Sequence, residues 1–234
     1  LNITTKHMTN NDCYKAGKKI TVKGIMVHST ATPGIMAADW FSRWNKPGTS
    51  ACVHAFLDDK VVMQYLPWDH RGWHAGGAAN NTHVSFEICE PKDLNDKEYF
   101  NKAYNNAVDL CVYLCKMFKL TEKDILDHSE GFKRGIATNH GDVMHWFPKH
   151  GKNMNTFRED VRKRLEEKEL KKIVTYFGDA DLFAAVLVSQ KNQCPLMKKS
   201  DFDASGLKAD QVIEIGGKPG TTRYDSFRDA AKLV

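Results

Sequence analysis

Short apolar runs and amphipathic stretches alternate along the first 165 residues. Ile25-Met26-Val27 leads into His28, and Thr30-Ala31-Thr32-Pro33-Gly34 breaks the chain straight after it. A brief apolar run closed by a turn signal predicts a strand buried on both faces, with His28 at its end. Ala37, Trp40, Phe41 and Trp44 recur at helical spacing and predict a short helix over 36–45, stopped by Lys46-Pro47-Gly48. Cys52 to Leu57 and Val61 to Leu66 flank Asp58-Asp59-Lys60, a hairpin signal. Trp68 to Gly77 is rich in Trp, His and Gly without any period, the composition of a site-lining loop or of a glycine-rich turn around a core tryptophan. Val84 to Cys89 alternates, so Val84, Phe86 and Ile88 share one face and Ser85, Glu87 and Cys89 the other. A long helix over 96–118 carries Ala103, Ala107, Leu110, Cys111, Leu114 and Phe118 on one side, with Asn95 and Glu98 as its capping pair. Ile125-Leu126-Asp127-His128 repeats the opening pattern, and 131–141 reads as loop. Thr156 and Glu159 read as the capping box of a last helix bearing Phe157, Val161 and Leu165.

The pattern changes near residue 170. Strand-like 173–177, 194–197 and 211–215 alternate with helical spacing at Leu182, Phe183, Val186, Leu187 and at Phe227, Ala230, Ala231, Leu233. That alternation predicts a small parallel sheet covered by helices. The expected division is a larger domain over 1–168 and a module over 169–234. About 60 residues is short for independent stability, so docking or self-association of the module is expected. Gly216-Gly217-Lys218-Pro219-Gly220 reads as a plain turn, since Pro219 removes a donor that a phosphate loop needs.

Composition narrows the class. With 234 residues and 41% apolar content the chain is ordinary for a globular protein of one medium and one small domain. No apolar run approaches the length of a membrane span, and the first residues lack the apolar core of a signal peptide. Synthesis and folding in a cytoplasm are therefore expected. The six cysteines form no Cys-x-x-Cys pair and are expected to be reduced. A net charge of +5 favours anionic partners without naming one.

Two strand-end histidines, His28 and His128, are natural nitrogen ligands for Zn2+. A catalytic zinc takes three protein ligands and keeps one position for water, and the third ligand is Asp142 or His140, both in the loop after His128. Glu87, a carboxylate between apolar neighbours in a strand, needs either a partner or a raised pKa. It is a candidate general base, or half of a structural salt bridge.

The chain resembles the N-acetylmuramoyl-L-alanine amidases of the peptidoglycan-recognition type, found in phage endolysins and autolysins. The resemblance covers about residues 20–165. It rests on Val27-His28-Ser29-Thr30, Val53-His54-Ala55-Phe56-Leu57, Gly72-Trp73-His74-Ala75-Gly76, Phe86-Glu87-Ile88-Cys89 and Asp127-His128-Ser129-Glu130. It implies an α/β fold, a mixed central sheet flanked by helices, with zinc in an open groove. It implies that His28 and His128 bind the metal, that Glu87 is catalytic, and that Trp73 and His74 line the peptide groove. Where such amidases often carry Lys-x-Asp-Pro or Lys-x-Cys-Pro, this chain has His140-Gly141-Asp142-Val143. On that alignment Asp142 is a ligand and His140 steadies the oxyanion, with the two roles open to exchange.

The tail resembles the cell-wall-binding repeat 2 module of clostridial-type surface proteins, through Gly178-Asp179-Ala180-Asp181, Ala184-Ala185, Cys194-Pro195-Leu196-Met197, Ile215-Gly216-Gly217 and Thr222-Arg223-Tyr224-Asp225. This implies a parallel βαβ, flavodoxin-like module that binds an anionic wall polymer. Such modules usually come in threes and one is present here, so a homo-oligomer is expected. The two resemblances together imply an endolysin acting on bacterial peptidoglycan, held in the host cytoplasm until lysis, with neither nucleic acid nor membrane as partner. The competing reading is a peptidoglycan-binding protein without catalysis.

Overall fold

The computed structural model describes residues 1–166, 169–217, 220 and 222–234, with residue 169 described in its backbone only. The chain divides into two compact units, Leu1–Arg164 and Leu165–Val234. The expected boundary at 168 and part of the 216–220 turn lie outside the described residues.

The first unit runs β1 (Ile3–Thr5), α1 (Asp12–Ala16), β2 (Gly24–Ser29), α2 (Trp40–Trp44), β3 (Ala55–Leu57), β4 (Val62–Gln64), β5 (His83–Ile88), α3 (Lys97–Phe118), β6 (Ile125–Asp127), α4 (His128–Lys133) and α5 (Met154–Glu166). Its six-stranded sheet has the order β1-β4-β3-β5-β2-β6. Only β3 and β4, the predicted hairpin, pair antiparallel; every other pairing is parallel, so the sheet is mixed as expected. Every residue of β2 is buried, which is why it reads as an unbroken apolar run rather than an alternation. α3 packs on β3 and β5, burying Phe100, Ala103, Ala107, Leu110, Cys111 and Leu114.

Several local expectations are corrected. Asp96, not Asn95, caps α3, its carboxylate accepting from the Tyr99 amide at 3.0 Å. Asn153 caps α5, accepting from the Asn155 and Thr156 amides, so Thr156 lies in the first turn rather than at the cap. The 36–45 helix opens as a 3₁₀ turn at Ala37–Asp39. The 131–141 stretch is not loop throughout, because α4 starts at His128. Asp127 caps α4 at the Glu130 amide (2.7 Å) while the Glu130 carboxylate reaches back to the Asp127 amide. Gly131 lies where a Cβ would stand 2.7 Å from Met26 Cε, which lets α4 close onto β2. α1, in a segment expected to hold only turns, is a one-turn helix capped by Asn11.

The second unit runs β7 (Glu169–Tyr176), α6 (Leu182–Asn192), β8 (Leu196–Lys198), α7 (Lys199–Ser205), β9 (Lys208–Ile215) and α8 (Arg223–Ala230). Its sheet is parallel with order β8-β7-β9. Val174 and Ile215 meet Ala184, Ala185, Val188 and Ala230 in its core. Asp181 joins the end of β7 to α8: it accepts from the Gly178 amide at 3.0 Å and from the Ser226 hydroxyl. Gly216, at φ 85°, leaves the room that the Asp181 carboxylate fills. All six cysteines are free thiols.

Candidate metal centre

Parallel strands deliver their carboxyl ends to one edge, the place where open α/β sheets build sites. β2 lies between β5 and β6, with His28 in register with Glu87 and Val27 with Asp127. In-register residues of neighbouring strands point to the same face. His28, Glu87 and His128, the residue after Asp127, are thereby brought together from positions 28, 87 and 128.

Two imidazoles and a carboxylate converge there. His28 Nδ1 stands 3.0 Å from Asp142 Oδ2, and His128 Nδ1 stands 3.2 Å from His28 Nδ1 and 3.5 Å from Asp142 Oδ2. A tetrahedral zinc bound at about 2.0–2.1 Å sets its ligand atoms about 3.3 Å apart, so this triangle fits that ion. Among the described residues these three form the one group able to hold a metal. The His28 pKa is lowered, chiefly by burial and against the pull of Asp142. Burial pushes the Asp142 carboxyl up, but hydrogen bonds from His128 and His28 outweigh it and hold the group well below the usual carboxylate range. A neutral imidazole beside an ionised carboxylate is the protonation state that metal ligands need.

The far nitrogens are occupied as well. His28 Nε2 meets His74 Nδ1 at 3.1 Å, and His128 Nε2 meets Thr138 Oγ1 at 3.3 Å. With their Nε2–H groups donating outward, both histidines turn Nδ1 lone pairs to the common centre. The two partners sit on loops pinned over the same face, where Met26 and Leu126 pack with Ala75, Ala79, Ile136 and Ala137. Asn80 Oδ1 accepts from the amides of His74 (2.9 Å) and Ala75 (2.8 Å), and the Thr138 amide donates to Ala75 O. Gly77 permits the loops to touch, since a Cβ there would lie 2.6 Å from Ile136 O.

Glu87 faces this centre with Oε2 buried and without a hydrogen-bond partner. Burial first, then the Asp142 and Glu90 carboxylates, push its pKa well above the ordinary value. The salt bridge that would have made it structural is not formed: no cation pairs with it among the described residues. His140 is exposed, its ring centroid 4.5 Å from that of His128 and its Nδ1 3.2 Å from Thr138 Oγ1. Asp142 therefore completes the triangle and His140 stands beside it. Trp73 lines an open cleft with Ser50, Arg71, Gly76, Gly77, Asn80 and Asn81. His74, expected in that groove, is instead placed behind His28.

Thr138 and Asn80 escaped the sequence reading. Neither residue type is a ligand, and only the meeting of two loops gives them their partners. The one available signal was the run of small and polar residues around each.

A mixed sheet whose strand ends present two imidazoles and a carboxyl with one buried, unpartnered oxygen, met by an ionised carboxylate from a neighbouring turn, is the class of site that hydrolases build. The family described as N-acetylmuramoyl-L-alanine amidase matches residues 18–145, more than half of the chain. The chain belongs to that family. It is 34% identical over 135 residues to the N-acetylmuramoyl-L-alanine amidase CwlH of Bacillus subtilis (strain 168), covering 49% of this chain and 52% of CwlH. It is 33% identical over 119 residues to XlyA, an N-acetylmuramoyl-L-alanine amidase of the same strain, covering 49% of this chain and 39% of XlyA. The chain thus spans about half or less of the length of these curated relatives. The solved catalytic domain of XlyA superposes with a TM-score of 0.54 at 25% identity, over 69% of this chain and 99% of that domain.

Proposed function

We propose that the chain is a zinc-dependent N-acetylmuramoyl-L-alanine amidase that hydrolyses the amide between muramic acid and L-alanine in bacterial peptidoglycan. The observation that carries this reading is the triangle of His28 Nδ1, His128 Nδ1 and Asp142 Oδ2 beside Glu87, whose Oε2 is buried without a partner. Zinc bound there supplies Lewis-acid polarisation of the lactyl carbonyl and a water whose pKa falls to about 7. Glu87 takes the proton of the attacking water and returns it to the leaving amine. Burial and the Asp142 and Glu90 carboxylates raise its pKa, the direction that suits a group that must give a proton back as well as take one. His140, at the solvent edge of the centre, donates to the developing oxyanion. Trp73 offers its ring to the substrate along the adjoining cleft.

The second unit is read as a flavodoxin-like, wall-binding module of the repeat 2 kind, with an anionic wall polymer as ligand. Its order β8-β7-β9, with the middle strand first in sequence, supports that reading beside the motifs. The whole is then an endolysin that acts from the cytoplasmic side once the wall is reached, self-associating through the module.

The test is release of free amino groups from purified walls, with zinc content measured on the same sample. One zinc per chain, loss of activity with chelator, and a Glu87→Ala variant that keeps zinc but turns over about 10²–10⁴-fold more slowly are expected. Zinc-free protein that cleaves walls at full rate overturns the mechanism. Bound zinc with no amino-group release would leave a wall-binding protein.

A further inference from the structure

Asp142 has neither helix nor strand to hold it, unlike His28 and His128. Its segment makes only local turns, with the Met144 amide on Gly141 O and the Trp146 amide on Val143 O. Val143, next to Asp142, and Trp146 bury their side chains, which fixes the segment to the core on both sides of His145. Those anchors hold the segment to the core; holding it against the strand ends that carry His28 and Glu87 needs one more tether.

His145 provides one. Its Nε2 meets Glu90 Oε1 at 2.7 Å, and the Glu90 side chain is only 1% exposed. The same oxygen accepts the Ala31 amide at 3.1 Å. Ala31 lies just beyond the end of β2, two residues after Ser29, and Glu90 lies just beyond β5, three residues after Glu87. One buried carboxylate therefore joins the segments that carry His28, Glu87 and Asp142. A carboxylate this buried needs a cationic or strongly donating partner, and the hydrogen bond to Glu90 raises the His145 pKa from its ordinary value.

We propose that the Glu90–His145 pair is a positioning device that holds the Asp142 segment on the ends of β2 and β5, so that all three metal ligands are in place before the ion arrives. His145 and Glu90 are positioning residues; neither is a ligand. The inference rests on the metal reading given above. Pairs that orient ligands typically set metal affinity by 10–100-fold. Removal of His145 leaves Val143 and Trp146 to anchor the segment, so the effect falls on Asp142 rather than on folding.

The test is zinc affinity of the full chain by chelator competition, read beside the melting temperature of the metal-free protein. His145→Ala is expected to weaken zinc binding 10–100-fold with the metal-free melting curve little moved. His145→Gln, whose amide can still donate to Glu90, is expected to recover most of the affinity. Cobalt-substituted His145→Ala should show a changed ligand-field spectrum, a signature that a merely stabilising contact does not move. Wild-type affinity in His145→Ala overturns the proposal, as does a fall in melting temperature that accounts for the whole loss. Should that variant not fold, Glu90→Gln, which keeps an acceptor for the Ala31 amide and His145, takes its place with the loss expected to be smaller than tenfold; a larger loss with an unchanged spectrum overturns the proposal. Wild-type protein that binds no zinc sinks the amidase reading and this proposal with it, whereas zinc binding indifferent to His145 sinks this proposal alone.

Discussion

Replacing Thr138 by valine keeps the shape of the side chain and removes one oxygen, the acceptor of His128 Nε2 at 3.3 Å. With nothing to fix its tautomer, His128 is free to carry its proton on Nδ1 and withdraw a lone pair from the centre. The expected result is a 10–100-fold loss of zinc affinity with little change in fold, measured by chelator competition. A matched pair of variants separates the two rivals for third ligand. Asp142→Ala removes one corner of the triangle and should leave less than one zinc per chain after dialysis. His140→Ala should keep the zinc and slow amino-group release about 10²-fold, the cost of losing one donor to an oxyanion. Zinc lost from the His140 variant and kept by the Asp142 variant would exchange their roles.

At the scale of elements, β3 and β5 are joined by a histidine that is no ligand. The Ser85 amide donates to His54 Nδ1 at 3.0 Å, so His54 Nε2 carries the proton and donates to His70 O at 2.8 Å. Protonation of Nδ1 would set two donors against each other inside the core. Burial, the largest cause, brings the His54 pKa from 6.5 down to about 4. Above pH 6.5 neither folded nor unfolded chain holds this proton, and the contribution to stability is whole. As the pH falls from 6.5 to 4 the unfolded chain takes up a proton that the folded one refuses, and about 3 kcal/mol is lost. Urea unfolding of metal-free protein at pH 7 and pH 4 should show that loss, and His54→Asn should lose about 3 kcal/mol less across the same interval. Equal slopes for the two proteins would place the acid sensitivity elsewhere, among His28, His74 and His83, whose pKa values are also lowered. Most of these elements can be read from the sequence because one face of each is buried: β2 is an apolar run, β5 an alternation, α3 a stripe. The histidine positions at strand ends are legible for the same reason. Residues whose role depends on two loops meeting are not. His74 reads as a groove residue because its motif shows composition but not direction, and Asp127-His128-Ser129-Glu130 is a capping box as much as a ligand motif.

For the whole molecule the question is whether cutting and holding are separable. The first unit contains its own sheet, and α5 closes it: Phe157 and Val161 are buried, and Arg158 pairs with Glu130 through both guanidinium nitrogens at 2.8 and 2.9 Å. Every residue assigned to chemistry lies between positions 28 and 145, inside the first unit. The second unit has a separate core around Val174 and Ile215. Residues 1–166 alone are therefore expected to release amino groups from a soluble muramoyl peptide within about twofold of the full chain, a difference smaller than 1 kcal/mol. On intact walls the shortened protein should stay in the supernatant where the full chain sediments. The character of that attachment is also predictable. From Lys171 onward the tail has ten Lys and Arg residues against eight Asp and Glu. A net of +2 is far from a polybasic patch, and at 0.5 M salt the screening length is only about 4 Å. Binding that rests on shaped contacts should persist there, while binding that rests on charge should not. Sedimentation of the full chain with walls at 0.5 M salt, and its loss on removing residues 167–234, is the expected pair of results. Release by salt would make the attachment one of charge, whereas sedimentation of the shortened protein would take the tethering role away from the second unit and leave the cleft beside the metal centre to do the holding.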